Sequence, residues 1–229
     1  MKLGLIADIH GNHLAFKRVL NVLLNEVDRI LFLGDLCGHY PFVEECVSLW
    51  DKRIVGVRGN HDQIFLDCAS QASVPPQSYR DKYGSALSRS LSRASEETLA
   101  LVKSWPVSQN LELGAGVACF HGAPWDPLGG RVYPDFKGWD RFNEVSSGVI
   151  AMGQTHYPFI KRHGDKLIIN PGSVGQPRDI GNSASYATVD VESDKAEIFR
   201  VPFDPAELIE DARQHNAAIP YLCDIFSRT

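Results

Sequence analysis

Three times in the first sixty-odd residues a short apolar run stops at a polar cluster. Lys2 to Ala7 (KLGLIA) leads into Asp8-Ile9-His10-Gly11-Asn12. Ile30 to Leu33 (ILFL) leads into Gly34-Asp35, and Arg53 to Val57 (RIVGV) into Arg58-Gly59-Asn60-His61-Asp62. Near-continuous apolar runs of this length read as strands buried on both faces. Between them, Leu14, Val19, Leu20, Val22, Leu23 and Val27 recur at helical spacing over His13 to Val27. Phe42 to Trp50 forms a second predicted helix with Pro41 at its first turn. Alternating strands and helices predict a parallel sheet, whose strands all end on one edge, the edge where open α/β sheets bind ligands.

From about Ser70 to Gln109 the composition shifts to Ser, Arg and Gln, with Pro75-Pro76 as a breaker. Tyr83, Leu87 and Leu91 lie four apart, as do Leu99 and Lys103, so two modest helices are expected. Ser95 ahead of Glu96 and Glu97 is a helix start. This excursion has the makings of a lid, with packing as its simpler role. The second half predicts short strands at Asn110–Leu113, Val117–Phe120, Val149–Met152, Phe159–His163, Leu167–Ile169, Ser185–Val191 and Ala196–Val201. Gly164-Asp165 marks a hairpin, and the whole set forms a second, mixed sheet packed on the first. A last helix follows over Pro205 to Ala217, with Asp204 as N-cap. The 229 residues suffice for one domain with an inserted helical segment.

A net charge of -5, with no long cluster of Lys and Arg, excludes a broad nucleic-acid surface or an acidic-membrane surface. A small phosphorylated molecule fits only if cations supply positive charge locally. Five irregularly spaced cysteines without a CxxC pair suit reduced thiols. The opening apolar run is too short for a signal peptide, and no stretch reaches membrane-spanning length, so a cytoplasmic location is expected.

The chemistry gathers where the strands end. A carboxylate closing a buried strand, as Asp35 does, is costly without a cationic partner, although an isolated Gly-Asp is also a plain helix cap. The same punctuation recurs in the second half, with His121-Gly122 after VACF and Gly153-Gln154-Thr155-His156 after VIAM. His10, His61, His121 and His156 thus share one kind of position. His13, His163 and His215 do not, and His39, in the loop after Asp35, is intermediate.

In this order, Asp8-Ile9-His10, Gly34-Asp35, Gly59-Asn60-His61-Asp62, His121-Gly122 and Gly153-Gln154-Thr155-His156 resemble the calcineurin-like metallophosphoesterase superfamily. The Asn170-Pro171-Gly172-Ser173-Val174-Gly175-Gln176-Pro177-Arg178 run is similar to its small, single-domain bacterial branch. The resemblance implies a four-layer α/β/β/α sandwich and two divalent metal ions drawn from Mn, Fe, Zn, Ni or Mg. It implies Asp8, His10 and His156 as ligands of one ion, Asp35 as the bridge, and Asn60 and His121 as ligands of the second. Gln154 stands where the family pattern has a metal-binding His. Its neutral oxygen is the weaker donor, which implies a weaker second site.

A metal-bridging hydroxide would attack phosphorus, with His61 stabilising or protonating the leaving oxygen. Asp62 would orient His61 or cap the following helix. Arg178 would hold a phosphate oxygen, Asn12 would brace the His10 loop near the substrate, and His39 would lie on the substrate side. The implied activity is hydrolysis of a phosphomonoester or phosphodiester of small size. A nucleotide is included if the His39, Trp125 and Tyr133 loops stack a base. Dinucleoside polyphosphates and phosphorylated Ser or Thr of proteins are the alternative substrates, and a non-catalytic scaffold is the rival of another class.

Overall fold

The computed structural model describes residues 1–229. In chain order its elements are β1 (Lys2–Ile6), α1 (His13–Glu26), β2 (Arg29–Phe32), α2 (Val43–Ser48), β3 (Ile54–Gly56), α3 (Asn60–Ser70), α4 (Gln77–Tyr83), α5 (Ala86–Arg93) and α6 (Glu96–Ser104). Then come β4 (Ser108–Leu111), β5 (Val117–Phe120), β6 (Val149–Ala151), β7 (Phe159–His163), β8 (Lys166–Asn170), β9 (Ser183–Asp190), β10 (Lys195–Pro202), α7 (Ala206–His215) and α8 (Tyr221–Asp224). They build two five-stranded mixed sheets, ordered β10-β9-β1-β2-β3 and β4-β5-β6-β8-β7. No helix is long and apolar enough to cross a membrane.

The strands β1, β2 and β3 run parallel, with Leu5 beside Leu31 and Phe32 beside Gly56. In the second sheet β5, β6 and β8 are likewise parallel, with antiparallel strands at both edges. Leu3, Leu5 and Leu31 of the first sheet face Val117, Val149 and Leu167 of the second in a shared apolar layer. Strands with apolar side chains on both faces can be covered on both, and the opposite face of the first sheet packs under α1. There Ile6, Ile30 and Phe32 meet Phe16, Val19 and Leu23. Over the outer face of the second sheet lie Val132 and Phe142, the latter from a 3₁₀ turn at Trp139–Glu144, against Ile150, Met152 and Ile168.

Two expectations are corrected. The last two strands belong to the first sheet: β9 pairs antiparallel with β1 (Leu3 beside Val189), and β10 pairs with β9. Apolar patterning identifies a strand but not which open edge it joins. The 70–109 excursion contains three helices, because Gly84, at φ +78, ends α4 between Tyr83 and Leu87. The four-residue spacing of Tyr83, Leu87 and Leu91 spans that break. At the last helix Asp204 accepts the Ala206 N–H at 3.0 Å, while Pro205 is the residue just outside the first turn.

Leu31 is 1% exposed in the layer between the sheets. Truncation there leaves a cavity that two hydrogen-bonded sheets cannot close, so Leu31→Ala is expected to lower unfolding free energy by about 2–5 kcal/mol. Urea denaturation monitored by circular dichroism checks this, and a loss below about 1 kcal/mol would contradict the packing described.

Candidate metal centre

The carboxyl ends of the parallel strands of both sheets open onto one seam. Asp8 and His10 follow β1, Asp35 follows β2, and Asn60 and His61 open α3 just after β3. His121 follows β5, and Gln154 and His156 follow β6. The loops are stitched together by backbone bonds: Asp8 N–H to Gly34 O and His10 N–H to Asp35 O, both at 2.9 Å, and Gly175 N–H to Asp8 O at 3.0 Å. Asp8, His10, Asp35, Gln154 and His156 all adopt φ between +51° and +69°, the left-handed region that side chains disfavour. Such conformations cost roughly 1–3 kcal/mol each and persist where surrounding contacts over-determine them. Gly59 answers to the same crowding, since a Cβ there would lie 2.1 Å from Asp35 Oδ1.

Three imidazoles are oriented alike. His10 Nδ1 meets Cys37 O at 2.9 Å, His121 Nδ1 meets Leu33 O at 2.8 Å, and His156 Nδ1 meets Gln176 O at 2.8 Å. A carbonyl only accepts, so each Nδ1 donates a proton and Nε2 is turned to the site, as a lone pair on His10 and His156 and, on His121 beside Asp35, as a nitrogen whose proton a cation would displace. His10 Nε2 and His156 Nε2 lie 3.1 Å apart, too close for two bare lone pairs unless something positive lies beside them. Asp8 Oδ1 is 3.4 Å from His156 Nε2 and 3.8 Å from His10 Nε2. Across the seam, His121 Nε2 is 3.2 Å from Asp35 Oδ2 and 3.1 Å from Asn60 Oδ1. Neither Asp8 oxygen, nor Asp35 Oδ2, has a hydrogen-bond partner, and both carboxylates are buried. A cation set fits these residues: Asp8, His10 and His156 form one group with ligand atoms within 4.8 Å of one another, and Asp8, Asp35 and His121 form another. Asp8 is therefore shared between the groups, while Asp35 Oδ2 also lies 3.9 Å from His10 Nε2.

Electrostatics follow from burial. It pushes the Asp8 carboxyl up to about 8. It also works against charge on Asp35, but the facing His121 and His61 imidazoles hold that carboxyl below the usual range. Burial pulls His10, His39, His61 and His156 down, whereas the Asp35 charge outweighs burial at His121 and raises it to about 10.

The remaining candidates divide. His39 is buried, its ring 4.3 Å from that of His10, with Nδ1 unpartnered; with His10 and His61 it makes a third close group. Gln154 turns its amide Nε2 to Leu128 O at 2.9 Å. Arg178 is half-buried beside the Thr155 carbonyl, 3.5 Å from Nη1, and its Nε has no partner. Asn12, expected near the substrate, spends its amide elsewhere: Oδ1 caps α1 at the Ala15 N–H and Nδ2 donates to Gly175 O. That is the bracing role alone.

Asp62 does not reach His61. It accepts from Asp35 N–H and Gly59 N–H through Oδ2 and from Cys37 N–H through Oδ1, so it holds the Asp35 loop as well as capping α3. Trp125 is taken up by packing, with Phe136 stacked at 5.8 Å and the Arg141 guanidinium 3.7 Å from its ring. Residues that sequence reasoning missed are Tyr79, whose hydroxyl meets His61 Nδ1, and Ser173, whose hydroxyl donates to Asp8 O at 2.7 Å. Ser173 lies in a run already singled out by its resemblance. Tyr79 carried no signal, and the Gln176 contact is through a carbonyl that any residue has.

The calcineurin-like phosphoesterase superfamily domain matches residues 1–194, and the chain belongs to that family, which is metal-dependent. An uncharacterized protein of Methanocaldococcus jannaschii is 34% identical over 223 residues, covering 88% of each chain. A metallophosphoesterase from Sphaerobacter thermophilus superposes with a TM-score of 0.79 at 25% identity, over 98% of both chains. A hypothetical protein from Pyrococcus horikoshii shares the fold, with a TM-score of 0.80 at 19% identity over 98% of this chain and 97% of its own.

Because Asp8 and His121 hold protons at neutral pH in the metal-free protein, loading a cation must displace them. Affinity is expected to rise with pH from 6 to 8, by on the order of tenfold per unit for each proton released. Calorimetric titration of Mn²⁺ into chelator-treated protein checks this; an affinity flat across that range would contradict the assignment.

Proposed function

We propose that this chain hydrolyses a phosphomonoester or phosphodiester bond of a small phosphorylated substrate. The carrying observation is Asp8, fully buried with both oxygens unpartnered while two imidazole nitrogens face it within 4 Å. Bound divalent cations supply Lewis-acid chemistry at such a site, neutralising phosphoryl charge and making water a usable nucleophile. Asp8, His10 and His156 would hold one cation, and Asp35, Asn60 and His121, with Asp8 close by, would hold a second.

Arg178 offers its unpartnered Nε to a phosphate oxygen, the fork geometry that guanidinium provides. His39, its ring 4.3 Å from that of His10, has an unpartnered Nδ1 that would serve a substrate oxygen. His61 is neutral near pH 7 because burial lowers it, and it donates a hydrogen bond to the leaving oxygen. Gln154, with its amide turned to Leu128, would offer a second cation only a neutral oxygen, a weaker donor than imidazole. That feature also favours the rival reading, a scaffold that binds a partner without turnover.

A hydrolysis panel of aryl mono- and diesters, cyclic nucleotides, dinucleoside polyphosphates and phosphopeptides, run with Mn, Ni, Zn, Fe and Mg, tests the reading and selects the substrate class. Asp35→Asn is expected to abolish metal-dependent turnover. His61→Ala should cost roughly 10²–10⁴-fold in kcat with bound metal unchanged. Gln154→His should raise the metal bound per chain, read by elemental analysis. A wild-type protein inactive across the whole panel, with metal bound, supports the scaffold instead.

A further inference from the structure

The five imidazoles at the seam are not equivalent: His39 Nδ1 has no partner, and what separates the other four is the partner of each Nδ1. For His10, His121 and His156 that partner is a backbone carbonyl. For His61 it is the hydroxyl of Tyr79, from the short helix α4 in the segment that sequence patterning marks only as an excursion. A hydroxyl can donate as well as accept. Tyr79 is 7% exposed and its hydroxyl has no other partner. If His61 Nδ1 carried the proton, the hydroxyl hydrogen would be buried without an acceptor, which native structures avoid. The hydroxyl therefore donates, and the His61 proton resides on Nε2.

Other groups near His61 leave this position to Tyr79. Asp62, the next residue, has its oxygens on the Asp35, Gly59 and Cys37 amides. The chain keeps Gly38 bare beside the ring: a Cβ there would lie 3.2 Å from His61 Nδ1 and 2.4 Å from His10 Nδ1. The Tyr79 ring is the buried anchor of α4 and packs on Tyr83 at 4.8 Å and on His61 at 5.3 Å. A phenylalanine would serve that anchoring equally. The hydroxyl serves His61.

We infer that Tyr79 is a positioning residue: its hydroxyl donates to His61 Nδ1 and fixes the tautomer protonated at Nε2, so that His61 offers a hydrogen to the substrate's leaving oxygen instead of a lone pair to a cation. The tautomer stands on the hydrogen bond alone; its use on a leaving oxygen rests on the phosphoesterase reading.

The experiment separates the two. Long-range ¹⁵N–¹H spectra of histidine-labelled protein, chelator-treated and manganese-free, report which nitrogen of each imidazole is protonated, with the His61 signals assigned by their loss in His61→Ala. The expected result is a proton on Nε2 for His61 and on Nδ1 for His10 and His156. In Tyr79→Phe the His61 signals should shift toward a mixture of tautomers, and in the metal-loaded enzyme kcat should fall about tenfold or more, with KM and bound metal unchanged. A wild-type His61 protonated on Nδ1, or a Tyr79→Phe protein with unaltered His61 signals, overturns the inference whatever the activity. Wild-type turnover in His61→Ala, with the tautomers as expected, overturns the leaving-oxygen role.

Discussion

Two buried carboxylates facing each other's imidazoles are the constraint on which the rest of the molecule depends. Asp8 and Asp35 carry oxygens without hydrogen-bond partners in a place where bulk water cannot reach them. Several kcal/mol per uncompensated buried charge is a penalty no small domain carries idly. Imidazole nitrogens turned to the same small volume add further donor atoms, and a cation placed among them would offset the penalty. The left-handed backbone at five of the same residues points the same way, because that strain is sustained only by the contacts around it.

What sustains it is the pairing of two sheets. Each sheet alone presents three parallel strand ends; packed face to face through Leu3, Leu5, Leu31, Val117, Val149 and Leu167, they bring both sets of ends to one seam. Backbone bonds from Asp8, His10 and Gly175 then tie the loops to each other. Rigid strands with short loops position side chains more tightly than long loops would, and a metal site needs that tightness.

Discrimination among like residues is left to their outer contacts. Carbonyls of Cys37 and Gln176 turn His10 and His156 into lone-pair donors toward the seam, whereas a tyrosine hydroxyl does the opposite for His61. The proton's location, not the residue type, decides which imidazole suits a cation and which suits a substrate oxygen.

Most of the framework was legible in the linear chain. Apolar runs ending in Asp, His or Asn give the strands and the carboxylates, imidazoles and amide at their ends, because burial on both faces leaves its mark as uninterrupted hydrophobicity and a strand end is where polar residues reappear. The destination of β9 and β10 was not legible, since an antiparallel strand can close any free edge and only packing selects one. Nor was the split of the helical excursion at Gly84, the commitment of Asn12 to the loop, or the diversion of Asp62 away from His61. Tyr79 shows the limit most clearly. It meets His61 because α4 folds back over the seam, and its role arises from a contact between side chains eighteen positions apart. Local patterning fixes which residues are polar, buried or helical; which atom carries a proton is decided only when the tertiary structure chooses the partner.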